Sequence, residues 1–196
     1  MSVALTRAPE PFDGKQFAVE DLASLPSEDP SGPIDYELDN GRLLTMVPPG
    51  DMHGAVQLKI GSELLQQGQR RGLGVARSEV GIILWRNPDR LVGADAAFIL
   101  SESLPLRHSP EGYLETVPEL VVEVRSKNDT NEYIDRKIND YLSAGVRILL
   151  VIDPVARNVT VFRPKCEPQV FLENDALTLE GVLPDFRCSV AELFHD

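Results

Sequence analysis

Cysteine is scarce in this 196-residue chain. There are two, Cys166 and Cys188, and neither sits in a CxxC pair or a Cys/His cluster. That spacing excludes a disulfide framework and offers no structural zinc site. Long apolar runs are missing as well. The longest, around Ile148-Leu-Leu-Val-Ile152, has the length of a strand and falls far short of the ~20 apolar residues that span a bilayer. Met1-Ser-Val-Ala-Leu-Thr-Arg7 lacks the apolar stretch of a signal peptide, so a cytoplasmic protein without membrane contact is expected. Positive charge is short too: 19 Lys and Arg stand against 31 Asp and Glu, a net charge of −12. Bulk DNA binding rests on neutralising phosphates, so the charge counts against a non-specific coat protein. Any DNA contact should be weak without metal, because bound divalent ions reverse the local charge. The stacking aromatics of RNA-binding modules are also absent, and nothing in the sequence separates a DNA from an RNA partner.

What is present is enough apolar material for one core, 42% of the residues. Residues 1–30 are Pro-rich and read as an irregular extension with one short helix at Val19–Ser24, and residues 31–196 read as a single domain. Asp39-Asn40-Gly41 between two strand-like runs predicts a hairpin over 34–46. Val56, Ile60 and Leu64, four apart, predict a helix over 53–67. Two strands follow, 75–84 and 91–100, then a loop over 101–118 with three prolines. Glu119–Val124 and Ile148–Ile152 are nearly all apolar and read as buried central strands. Between them Asp129-Thr130 can cap a helix that Gly145 stops. Beyond Asp153-Pro154, Val159–Phe162 returns antiparallel, and 169–194 adds short strands and a helix at Val190–Phe194.

Three polar residues fit this pattern poorly. Asp95 lies in a strand of small and apolar residues, where a carboxylate needs a hydrogen bond, a metal or a solvated loop end. Glu123 lies in Leu120-Val-Val-Glu-Val124, and alternation puts it on one face with Val121 and Arg125. An ion pair with Arg125 is the plainer account of it. Lys137 projects beside the Ile134, Ile138, Leu142 stripe of the following helix, between Tyr133 and Tyr141; ordinary snorkelling is its plainer account. As a set, two carboxylates on neighbouring strands and one amine suit Mg²⁺ or Mn²⁺ and phosphodiester hydrolysis. A hard divalent ion polarises a phosphoryl oxygen and activates water, and the amine offsets transition-state charge.

Taken in order, Tyr36-Glu-Leu-Asp-Asn-Gly41, His53, Ala94-Asp95, Val122-Glu-Val-Arg-Ser126, Arg136-Lys137, Tyr141, Gly145-Val146 and Val151-Ile-Asp-Pro154 resemble the Uma-type restriction endonucleases, a branch of the PD-(D/E)xK nuclease superfamily. The resemblance spans about residues 17–194. It implies a restriction-endonuclease-like α/β core, αβββαβ with a mixed central sheet flanked by helices, an N-terminal hairpin and C-terminal β decoration. It also implies catalytic residues Asp95, Glu123 and Lys137, a metal held by Glu37, Asp95 and Glu123, and a DNA substrate. Two positions depart from the superfamily pattern. Ala94 replaces a proline without chemical consequence. Arg125 stands where the superfamily lysine usually sits, and arginine cannot serve as a base. Lys137 on the helix is therefore the expected site cation, with His53, Arg125 and Ser126 in supporting places. Arg70 and Arg71 are candidate phosphate contacts, though a solvated pair at a helix end explains them better. A homodimer is expected by analogy of fold. The alternative is a catalytically degenerate nuclease fold acting as a dimeric binding or structural module. A nuclease acting on RNA stays a weaker alternative.

Overall fold

A computed structural model describes residues 15–30, 32–46 and 48–195, so the first fourteen residues of the Pro-rich extension lie outside the described residues. After a short 3-10 helix at Val19–Ser24, the two-residue strands β1 (Glu28–Asp29) and β2 (Gly32–Pro33) pair with each other. The expected hairpin is β3 (Asp35–Asp39) and β4 (Arg42–Met46). Asn40 at φ 52° and Gly41 at φ 79° fill its turn, the left-handed pair that matches strand twist. Next come α1 (Asp51–Gln67), β5 (Gly74–Trp85), β6 (Arg90–Leu100), β7 (Leu120–Val124), α2 (Asn131–Ala144) and β8 (Ile148–Asp153). This is the helix–strand–strand–strand–helix–strand order read from the sequence. The chain then adds β9 (Asn158–Phe162), β10 (Gln169–Leu172), β11 (Ala176–Leu179), β12 (Leu183–Ser189) and α3 (Val190–Phe194).

Eight of these strands form one mixed sheet in the order β10-β9-β8-β7-β6-β3-β4, with β5 also paired to β6. Its one parallel pair, β7 with β8, is joined over the top by α2. The hairpin belongs to this sheet, because Leu38 of β3 pairs with Leu91 of β6. The loop before β7 also packs back on the sheet: Leu114 bridges to Ile82, and Gly81 admits the Tyr113 ring where a Cβ would stand 2.4 Å from it.

Each face of the sheet carries a helix. Val56, Ile60 and Leu64 of α1 pack with Val122, Val124, Leu150 and Ile152. Ile134, Ile138 and Tyr141 of α2 pack with Val121, Leu149 and Val151. Strands β7 and β8 are thus covered on both sides, which is why their sequences do not alternate. Full burial of an aliphatic side chain contributes about 1.5–3 kcal/mol, so these two layers fix the helices against the strands. Thr130 caps α2 by accepting the Tyr133 N–H at 3.1 Å, and Gly145 at φ 109° ends it. No helix among the described residues is long and apolar enough to cross a membrane.

Two irregularities in β6 prepare the site. Val92 and Ala94 pack on the α2 side, whereas Ala96 and Phe98 pack on the α1 side. A strand has a side-chain period of two, so the chain must turn at Asp95. Across the ladder, Glu79 sits between the Ser78↔Ala96 and Val80↔Ala94 pairs, with φ at 49°. A left-handed non-glycine residue there costs of order 1 kcal/mol and marks the same twist. The second irregularity is a gap. On the edge away from β5, β6 pairs with β7 at 96–98 and with β3 at Leu91, and residues 92–95 between them have no strand partner.

Candidate active site

Side chains fill that gap. The Gly93 N–H donates to Oε1 of Glu37 at 2.9 Å, and the Gly93 carbonyl accepts from Nζ of Lys137 at 3.0 Å. Lys137 also donates to Oε2 of Glu123 at 2.8 Å and to Oε1 of Glu37 at 3.3 Å. Its ammonium is therefore triply held while almost fully buried. Helical spacing explains its neighbours. Tyr133 and Tyr141, four residues to either side, share its stripe of α2. Tyr141 donates to Oε1 of Glu123 at 2.6 Å, and Tyr133 donates to Oε2 of Glu37 at 3.1 Å. Behind Glu37 lies Arg90, 1% exposed, with Nε 2.7 Å from Asp140 and Nη1 3.6 Å from Glu37.

Asp95 faces the other way, toward α1. Its Oδ2 accepts the Val124 N–H at 2.6 Å and lies 3.4 Å from Nε2 of His53. His53 sits in the first turn of α1, and its Nδ1 is buried without a hydrogen-bond partner. One turn on, Gln57 donates to Glu79 and, at 3.2 Å, to the Asp95 carbonyl, which the kink has freed from the ladder.

Charge in this space is poorly balanced. Burial pushes the Glu123 carboxyl up to about 7; Lys137 opposes the shift and the Asp95 charge adds to it. Lys137 itself is raised well above the ordinary lysine value, because Glu123 and Glu37 outweigh the burial that would lower it. Burial works against a charged His53 ring, but Asp95, with Glu79 behind it, prevails and raises its pKa.

In donor chemistry, Asp95 and Glu123 are of the kind a hard divalent ion takes. Both contacts of Asp95 fall on Oδ2, which leaves Oδ1 for a ligand. Glu123 repels Asp95 and accepts one hydrogen bond on each oxygen, so further lone pairs remain. Among the described residues no group of three His, Cys, Asp or Glu side chains stands ready to hold a metal ion. Mg²⁺ commonly binds one or two carboxylates and keeps several waters. Glu37, expected as a third ligand, turns instead to Lys137, the Gly93 N–H, Tyr133 and Arg90.

The remaining sequence candidates separate from this centre. Arg125 pairs with Asp153 at 3.5 Å and donates to Asn131 at 2.9 Å. Ser126 closes the turn before α2, its N–H donating to Asp129 at 2.7 Å. Arg71 reaches the Pro184 carbonyl at 3.0 Å and Asp185 at 3.3 Å. It lies beyond the end of α1 opposite His53, roughly 25 Å away along the helix axis. No role was expected for Gln57, Tyr133, Tyr141 or Arg90. For the first three a signal existed: each lies four residues from a candidate on the same helix. Arg90 follows a turn and carried none.

The family model for Uma2, described as "Putative restriction endonuclease", matches residues 19–191. A crystal structure of "a putative nuclease belonging to DUF820" from Anabaena variabilis is similar in fold, with a TM-score of 0.72 over 89% of this chain and 96% of that chain, at 19% identity. No curated protein matches. The matched span runs from the 3-10 helix to α3 and includes every residue of the cluster above, and on that match the chain belongs to the Uma2 family.

Proposed function

We infer that this protein is a Mg²⁺- or Mn²⁺-dependent endonuclease with a restriction-endonuclease-like core that hydrolyses DNA phosphodiester bonds. The observation that supports the reading is the 2.8 Å contact of Glu123 with Lys137 near the end of the β6–β7 ladder, with Asp95 on the neighbouring strand close enough for its charge to raise the Glu123 pKa. Asp95 and Glu123 would hold the ion, which when bound offsets charge on the phosphoryl group. His53 and the Val124 N–H hold Asp95 in place, and Tyr141 orients Glu123. Glu37 fixes Lys137, so the ammonium stands beside Glu123 and offers fixed positive charge to the scissile phosphate. The acidic chain then gains DNA affinity chiefly when metal is present.

Purified protein should nick or linearise plasmid DNA with Mg²⁺ or Mn²⁺, and Asp95→Ala should abolish cutting. Inactivity of the wild type on duplex, single-stranded and RNA substrates with both metals would overturn the reading.

One observation favours a second reading, a nuclease fold without catalysis acting as a dimeric binding module. Lys137 is fully engaged by Glu37 and Glu123, and no three-ligand group stands among the described residues. On that reading, divalent metal leaves the melting temperature unchanged.

A further inference from the structure

On the flank of α2 away from Lys137, a cavity of about 440 Å³ opens between the helix and strands β8 and β9. Its floor is apolar: Ile134 and Ile138 from α2, Val151 from β8 and Phe162 from β9. Val170 and Leu172 of β10, opposite Thr160 and Asn158, continue that floor and are 53% and 58% exposed.

The rim is polar. Arg125 enters it two positions past Glu123 and is tied to Asp153 and Asn131. Asp153 is fully engaged, because its Oδ1 also accepts the Val155 and Ala156 N–H groups at 2.9 Å. Asp135, Asn158 and Thr160 differ. They line the cavity, and no hydrogen bond among the described residues engages their side chains.

This lining discriminates among ligands. A phosphate inside would meet two carboxylates against one guanidinium that is already paired. A purely aliphatic ligand would leave Asp135, Asn158 and Thr160 unanswered. A planar heterocycle suits both halves, with its face on Phe162 and the isoleucines and its edge on the free polar groups. The volume falls in the range of small-ligand pockets. A carboxylate such as Asp135 accepts from an exocyclic amino group, whereas thymine offers it only the single N3–H, set between two carbonyls that repel it. The position adds a second constraint. Along extended backbone, residue 125 lies roughly 7 Å from residue 123, so a nucleotide here is a near neighbour of a phosphate at Glu123.

We propose that the cavity receives one nucleobase of the substrate strand, an amino-bearing base turned out of the stack beside the cut. Extruding a base costs a few kcal/mol of stacking and pairing, which a pocket of this kind offsets. The substrate identity rests on the endonuclease reading, but occupancy of the cavity does not require cutting.

The test therefore uses the full chain carrying Asp95→Asn, without metal. It is titrated with dAMP, dCMP, dGMP and TMP while backbone amide resonances are followed. The amides around Phe162, Thr160 and Asp135 should move with an amino-bearing nucleotide and bind TMP on the order of tenfold more weakly. Asp135→Ala, at an exposed helix position, removes the acceptor and should erase that preference. Thr160→Phe, which fills the cavity from a strand, should weaken all four ligands. Cavity amides that respond to no nucleotide, or equally to all four, would overturn the proposal. Shifts of those amides that depend on protein concentration alone would assign the face to a second copy and also overturn it. Plasmid cutting by the wild-type chain, measured separately, reports on the endonuclease reading alone.

Discussion

Nζ of Lys137 and Oε2 of Glu123 lie 2.8 Å apart in a largely buried space, one from a helix and one from the strand before it. A second carboxylate, Glu37, approaches the same ammonium at 3.3 Å from the hairpin strand β3. Lys137 is thus the tie between the hairpin, α2 and the centre of the sheet. Burying an ion pair offers little net stability, but removing one partner leaves an uncompensated charge.

Lys137→Met should accordingly lower stability by about 3–5 kcal/mol, read as a drop in the denaturant midpoint, and should abolish cutting. Lys137→Arg should keep much of the stability and lose most of the activity, because a planar guanidinium cannot occupy the site of a compact ammonium. A Lys137→Met variant as stable as the wild type would contradict the burial argument.

The pH dependence of stability follows from Glu123. Its carboxyl titrates near 7 when folded and near 4.5 as an ordinary glutamate. A group that holds its proton more tightly in the native state loses stabilising effect as pH rises through that window. The loss here is about 3 kcal/mol between the two values, and denaturation at several pH values measures it. Glu123→Gln should flatten the slope. Saturating Mg²⁺ should flatten it as well, since a cation favours the ionised carboxylate. A slope unchanged by either would show that Glu123 is not the group responsible.

Asp95→Asn keeps a side-chain oxygen to accept the Val124 N–H, so the fold should survive. The charge goes, and with it the metal. Wild-type protein at a hundredfold excess of Mn²⁺ over its Kd should gain about 2.7 kcal/mol, and the variant should gain almost nothing. Differential scanning calorimetry with and without Mn²⁺ makes the comparison.

Arg125 stands where the superfamily lysine usually sits, yet it is partly exposed and paired with Asp153. Arg125→Ala should cost less than about 1 kcal/mol of stability. It should raise KM for DNA and leave kcat within a few-fold, which steady-state kinetics on an oligonucleotide would show. A collapse of kcat would move the site cation from Lys137 to Arg125.

Much of this was legible in the sequence because it is written in local pattern. Apolar repeats four apart gave α1 and α2, and two nearly all-apolar runs gave the central parallel pair. The Asp39-Asn40-Gly41 turn signal marked the hairpin. The candidate residues Asp95 and Glu123 stood out as charges in apolar strands. What the pattern did not carry was non-local. The turn of β6 at Asp95 depends on Glu79 of the neighbouring strand, in a backbone conformation that no motif announces. The orientation of Glu37 toward cations depends on the gap between β3 and β7, a feature of strand order. Arg90 reads as an ordinary turn residue until Asp140 and Glu37 close around it.

The most direct test of the metal centre is anomalous diffraction from crystals grown with Mn²⁺. The account predicts a manganese peak between the carboxylates of Asp95 and Glu123, beside the ammonium of Lys137. Manganese bound only elsewhere, or none at saturating concentration, would contradict it.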